Sequence, residues 1–131
     1  MPSIKFETPD VENFLRLRKI TGLSPRSEKA ARIGLHHSLF AVTIFNKEIP
    51  IGMGRVVGDG GLNFEIVDVA VDPEYQGQGF GSQIMTHIMR YLDENAPEGC
   101  YISLIADVPT IYEKFGFKRT SPNAEGMYLR K

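Results

Sequence analysis

The chain has 131 residues, 42% hydrophobic and 24% charged, with 15 Lys and Arg against 16 Asp and Glu for a formal net charge of −1. That length suits a single domain, residues 1–131, able to bury up to about 70% of its unfolded surface without staples, and the balanced charge gives nucleic acid or an anionic membrane no electrostatic hold. Cys100 is the only cysteine, which excludes an intrachain disulfide and a thiolate metal cluster and favours a reducing, cytoplasmic setting; no apolar run reaches bilayer-spanning length, and MPSIKFETPD lacks the apolar core of a secretory signal.

Ile4 to Glu7 reads as a short first strand. Pro9-Asp10 then caps a helix with Val11, Phe14, Leu15 and Arg18 along one side, and Gly22 ends it. Ser24-Pro25 repeats the start signal, serine at the cap and proline at the first helical position, for a second helix running to about His37 with Ala30, Ala31 and Leu35 available for packing. From Leu39 the period becomes that of strands: Leu39 to Phe45, Ile49 to Val57 and Leu62 to Val71, separated by the turn residues Asn46-Lys47-Glu48 and Asp59-Gly60-Gly61. An antiparallel meander is expected. Pro50 and the glycines at 52, 54 and 58 predict a bulge or bend in its middle strand.

The third strand of this meander is apolar at nearly every position, as suits a strand covered on both faces, and only Glu65 and Asp68 break it. Simple alternation sends these two carboxylates to opposite sides of the sheet. An unpaired buried charge is costly, so Glu65 either pairs with an arginine such as Arg55 on the neighbouring strand or serves chemistry.

Asp72-Pro73 ends the strand, and Gln76-Gly77-Gln78-Gly79-Phe80-Gly81 follows. Phe80, Ile84, Met85, Ile88, Met89 and Leu92 then form one apolar helical stripe. Glycines at a helix start let a ligand approach the main chain, and the free N–H groups of the first turn with the helix dipole make a site for an anion such as a pyrophosphate. Two better-known phosphate loops fit poorly. A P-loop requires Gly-Lys-Ser/Thr, and a dinucleotide fingerprint would place a third glycine where Ser82 stands.

Pro97-Glu98-Gly99 resets the chain, and Cys100 to Ala106 reads as a buried strand parallel to the one before, which completes a βαβ unit. Residues 108–115 suit a short helix, and Phe117 to Arg119 with Met127 to Arg130 a closing hairpin. His36 and His37 are adjacent, hence about 100° apart on a helix, and cannot chelate as an i, i+4 pair would. The pattern is α/β of the α+β kind: a mixed, mostly antiparallel central sheet with flanking helices.

The phrase V-x-P-x-x-Q-G-Q-G-x-G from Val71 to Gly81, after an apolar strand, resembles motif A of the GNAT (Gcn5-related) N-acetyltransferases. Tyr112-Glu113-Lys114-Phe115-Gly116-Phe117 is similar to that family's Y-x-K-x-G-F, so the likeness covers roughly residues 38 to 131. The resemblance implies a GNAT fold whose βαβ unit takes up acetyl-CoA, the two parallel strands splaying around it. Carried over residue by residue, Gln76, Gly79 and Gly81 hold the pyrophosphate, with main-chain N–H groups from Gly77, Gln78, Phe80 and Ser82; Val69, Ala70 and Val71 flank the pantetheine arm. Asp107, standing where asparagine is frequent in a somewhat shortened segment, joins the cofactor contacts with Tyr112. Glu65 falls where some histone-type members keep a general base, and Tyr112 is the candidate acid.

The implied activity is acetyl transfer from acetyl-CoA to a primary amine by direct attack in a ternary complex, with no metal. The phrase around Ala106-Asp107 and the closing Gly126-Met127-Tyr128 resemble small bacterial members and arylalkylamine-type relatives, which points to a small amine acceptor. A non-catalytic acyl-CoA-binding module and a protein acetyltransferase are the alternatives. Exposed sheet edges would allow a homodimer.

Overall fold

A computed structural model describes residues 2–131. Its first elements follow from local capping: the Asp10 side chain accepts the amide of Asn13, and helix α1, Val11–Thr21, ends where Gly22 adopts φ 81° and returns its N–H to the last turn. Helix α2 spans Glu28–Gly34 and continues as a 3-10 turn, Leu35–His37. It starts at Ser27, later than the Ser24-Pro25 signal implies. Ser24 is otherwise engaged, because Arg18 donates from Nε to its carbonyl at 2.7 Å and from Nη2 to its hydroxyl at 3.1 Å.

Five strands form one sheet in the order β1 (Pro2–Lys5), β2 (Phe40–Asn46), β3 (Ile49–Gly58), β4 (Asn63–Val71), β5 (Tyr101–Leu104). The first four pair antiparallel and β5 pairs parallel to β4. Between β4 and β5 runs helix α3, Phe80–Asn95, and a short helix α4, Pro109–Glu113, follows β5. The expected meander and βαβ unit are both present. The closing hairpin is not: residues 117–131 contain no strand, and Met127, Tyr128 and Leu129 are almost wholly exposed. Phe117 packs against the α3-side core, but Pro122, Asn123 and Gly126 interrupt the segment beyond it, where every residue is exposed.

The sheet separates two apolar layers. On one face α3 packs Phe80, Ile84, Met85, Ile88 and Leu92 against Val42, Ile44, Ile51, Val56, Phe64 and Ile66; on the other, Phe14 and Leu17 of α1 meet Ala31, Leu35, Met53 and Ala70. Two bulges reconcile these layers with strand alternation. In β3, Ile44 faces Gly52 but Phe45 faces Pro50, so Ile51 is the extra residue and joins Val56 on the α3 side. In β4, Met53 faces Ala70 while Arg55 faces Val67, so Asp68 and Val69 together oppose Gly54. Before this bulge the even residues Phe64 and Ile66 face α3; after it the odd residues Val69 and Val71 do.

Gly52 and Gly54 are where α3 comes closest to the sheet. A Cβ on Gly54 would lie 2.7 Å from Cγ2 of Ile84 and 3.0 Å from Cδ1 of Ile88, both fully buried. Gly54→Ala is therefore expected to overpack this contact and destabilise the fold by about 1–3 kcal/mol. Thermal unfolding should show Tm lowered by several degrees; an unchanged Tm would mean that α3 is free to move outward.

Candidate functional site

The chain leaves β4 through Asp72, enters a 3-10 turn at Pro73–Tyr75, crosses Gln76 to Gly79 and turns into α3. The approach to this loop is held from three sides. Asp72 donates its amide to Ile51 O at 2.8 Å, the Tyr75 hydroxyl accepts from Asn46 Nδ2 at 2.7 Å, and Arg16 reaches Pro50 O at 2.6 Å and the Asp72 carboxylate at 3.7 Å.

The loop itself is open. Gly77 and Gly79 have φ of 79° and 88°, and a Cβ at either would meet nothing within 4 Å. Gly79 caps α3 with no side-chain acceptor, and the first helical bond in the turn runs from Gln83 N to Gly79 O at 3.0 Å. The N–H groups of Phe80, Gly81 and Ser82 therefore stand at a positive helix end with open space before them. Gln76 is used differently from a loop donor: its side-chain amide donates to Val71 O at 2.9 Å and ties the loop back to β4.

Beside this loop the sheet parts. Pairing of β4 with β5 stops at Ile66 opposite Leu104, while β4 runs on to Val71. The main chain of Val67 to Val71 is thus unpaired on the β5 side, which is the splay that the residue pattern alone does not display. Val69 and Val71 face α3 and Ala70 faces α1, so the residues assigned to one pantetheine wall divide between two faces. Asp107 is exposed just beyond β5.

Tyr112 lies on α4, half-buried against the α3-side core. Burial, and secondarily the charge of Asp107, raises its pKa above the ordinary phenol value, so the hydroxyl is protonated at neutral pH. Glu65 is half-buried opposite Val57 and Ser103. The pairing expected from Arg55 goes elsewhere: Arg55 Nε donates to Asp68 Oδ2 at 2.7 Å, and Arg18 donates to Asp68 Oδ1. Among the described residues Glu65 makes no ion pair.

The opposite-face expectation for these carboxylates also fails. Because the bulge adds a residue, Glu65 and Asp68 both turn to the α1 face. The Arg18–Asp68–Arg55 cluster was legible only as three separate oddities: an arginine on the apolar side of α1, an arginine in β3 and an aspartate in an apolar strand.

An open glycine loop at a helix start, placed where two parallel strands diverge, is the arrangement that the motif phrase implied. Residues 36–119 match the family model described as the acetyltransferase (GNAT) domain. The chain belongs to this family. A GNAT relative from Porphyra purpurea, named an uncharacterized N-acetyltransferase, is 31% identical over 82% of this chain and 64% of its own length, so this chain spans somewhat under two thirds of that protein. A crystal structure from Staphylococcus aureus, described as a probable acetyltransferase of unknown function, is similar across the full length of both chains, with 47% identity and a TM-score of 0.96. A Brucella melitensis GNAT acetyltransferase solved in complex with acetyl-CoA shares the fold at 18% identity and a TM-score of 0.67, over 91% of this chain and 84% of that one.

The GNAT loop yields a direct test. Gly79→Asp adds a negative charge where the helix dipole favours an anion, at a φ that also disfavours any side chain. The expected outcome is a folded, mildly destabilised protein with no measurable heat on titration with CoA. Wild-type affinity in that variant would exclude the loop as the anion site.

Proposed function

We propose that this GNAT chain transfers the acetyl group of acetyl-CoA to a primary amine of a small molecule, by direct attack within a ternary complex. The observation that carries the reading is the conjunction of the open loop at Gln76 to Ser82 with the unpaired end of β4 beside it. Main-chain donors at Gly77, Gln78, Phe80, Gly81 and Ser82 suit a pyrophosphate, with Gln76 and Gly79 fixing the loop's course. The unpaired main chain of β4 suits a pantetheine amide and a thioester carbonyl, Val69, Ala70, Val71 and Asp107 lying along the way. Bound there, acetyl-CoA supplies an activated acyl carbon.

This chain's own side chains manage the protons. Glu65, a half-buried carboxylate with no cationic partner, is free to take a proton from the acceptor ammonium, directly or through a water. Tyr112, a phenol protonated at neutral pH, is able to donate its hydroxyl proton to the departing sulfur as the C–S bond breaks and the N–C bond forms. A phenol with a raised pKa is poorly suited to the reverse role of base. Tyr112 thereby argues against a purely acyl-CoA-binding module, which would need no acid. The single cysteine supports a reducing, cytoplasmic setting, and the unpaired outer edges of β1 and β5 support a homodimer.

Screening amines in a free-thiol release assay tests the reading as a whole; no turnover with any small amine, alongside turnover with peptides, would move the acceptor to protein. Within that assay Tyr112→Phe is expected to lower kcat about 10-fold or more, near 1.4 kcal/mol in barrier, with Tm and CoA affinity nearly unchanged. Full activity with a lowered Tm would make Tyr112 a packing residue. Glu65→Gln is expected to cost roughly 10²–10⁴-fold at neutral pH and to remove the acidic limb of the rate profile. Retention of that limb would assign the base elsewhere.

A further inference from the structure

Among the described residues Asp68 is the only non-glycine strand residue with positive φ, at 59°, and it sits at the bulge where β4 changes the face it offers to α3. Both carboxylate oxygens are taken. Arg18 of α1 donates to one and Arg55 of β3 to the other, at side-chain exposures of 4%, 14% and 9% for Arg18, Arg55 and Asp68. The arginines are anchored in turn: Arg18 to the carbonyl and hydroxyl of Ser24, Arg55 to the hydroxyl of Ser38 at 2.9 Å. The Phe14 ring lies 5.7 Å from one guanidinium and 5.8 Å from the other. One carboxylate thus joins the β4 bulge to α1, to the loop after α1 and to the end of α2.

We propose that Asp68 is a positioning residue that fixes the path of Val67 to Val71, and thereby the place where this unpaired main chain meets the acyl end of the donor. The inference rests on the acetyl-CoA reading above. Its physical basis is that a bulged, half-unpaired strand has few constraints of its own. Pairing with β5 has ended at Ile66, and opposite the bulge stands Gly54, which has no side chain to brace it. The clamp replaces both. Its anchors also lie on the elements covering the other face of the sheet, so a disturbance in α1 or at Ser24 has a direct polar route to the β4 backbone, beside the apolar packing of Ala70 against α1.

Amide hydrogen exchange with and without acetyl-CoA tests this without knowledge of the acceptor. In the wild type, acetyl-CoA should slow exchange both at residues 77–82 and at residues 67–71. In Asp68→Asn, which keeps the shape and the tolerance for positive φ but removes the charge, slowing at 77–82 should persist with CoA affinity within about twofold. At 67–71 it should fall by about tenfold or more. Arg55→Lys, which keeps a cation but loses the planar fork, serves where Asp68→Asn does not fold, and should show the same loss in smaller measure. Equal slowing at 67–71 in folded variants and wild type overturns the inference while leaving the donor reading intact. Absence of slowing at 77–82 in the wild type overturns the donor reading and the inference with it.

Discussion

The close seating of α3 on β3 is the constraint from which the rest of this structure follows. A 16-residue helix crossing a strand whose Gly52 and Gly54 offer no side chains can sink until Ile84 and Ile88 touch backbone. That depth fixes where the helix begins. Its first turn is brought beside the end of β4, and Gly81 passes Val71 with only ordinary van der Waals room between them. Larger residues on β3 would lift the helix, widen the gap at its N-terminus and separate its first turn from the strand that leads into it. The glycines of β3 and those of the loop therefore act by different means: the first set permits close approach of a helix, and the second, at positive φ, leaves open space before the helix start.

A cost accompanies this geometry. Strand β4 must present apolar residues to α3 along its whole length, yet its sequence carries them at even positions first and odd positions later. Only an inserted residue can change parity, and here it is Asp68 in a left-handed conformation, worth roughly 1–2 kcal/mol of strain for an ordinary residue and less for aspartate. Charge-assisted hydrogen bonds from two arginines offset that strain and the desolvation of the carboxylate. Burial lowers the pKa of Arg18, and the neighbouring Asp68 charge opposes that shift in part. Removing one member leaves buried charge uncompensated.

Much of the architecture was legible because local chemistry and global fold agree. Asp10 and Gly22 bound α1, and the period change at Leu39 and the glycine-initiated stripe from Phe80 appear in the structure where the residues place them. Each miss has a nonlocal cause. Ser24 did not cap a helix because Arg18 took its oxygens, and the face of Asp68 was misassigned because alternation cannot foresee a bulge on the partner of a glycine-bearing strand. The closing segment offered apolar residues without the packing that makes a strand. The geometry of the candidate site was legible in its loop, where conformation is set by glycines, and the neighbouring ion cluster was not, because three residues far apart in sequence meet there.

Glu65 and Asp68 show why residue type alone underdetermines role. They are three positions apart in one strand, have the same charge and, owing to the bulge, share a face. What separates them is partnership. A carboxylate gripped by two guanidiniums is fixed in place, which suits it to hold backbone. A half-buried carboxylate with no ion pair among the described residues is not held in this way. Arg55, which stands on the strand beside both, is spent on Asp68, and that one choice of partner leaves the strand with one carboxylate clamped and one unclamped.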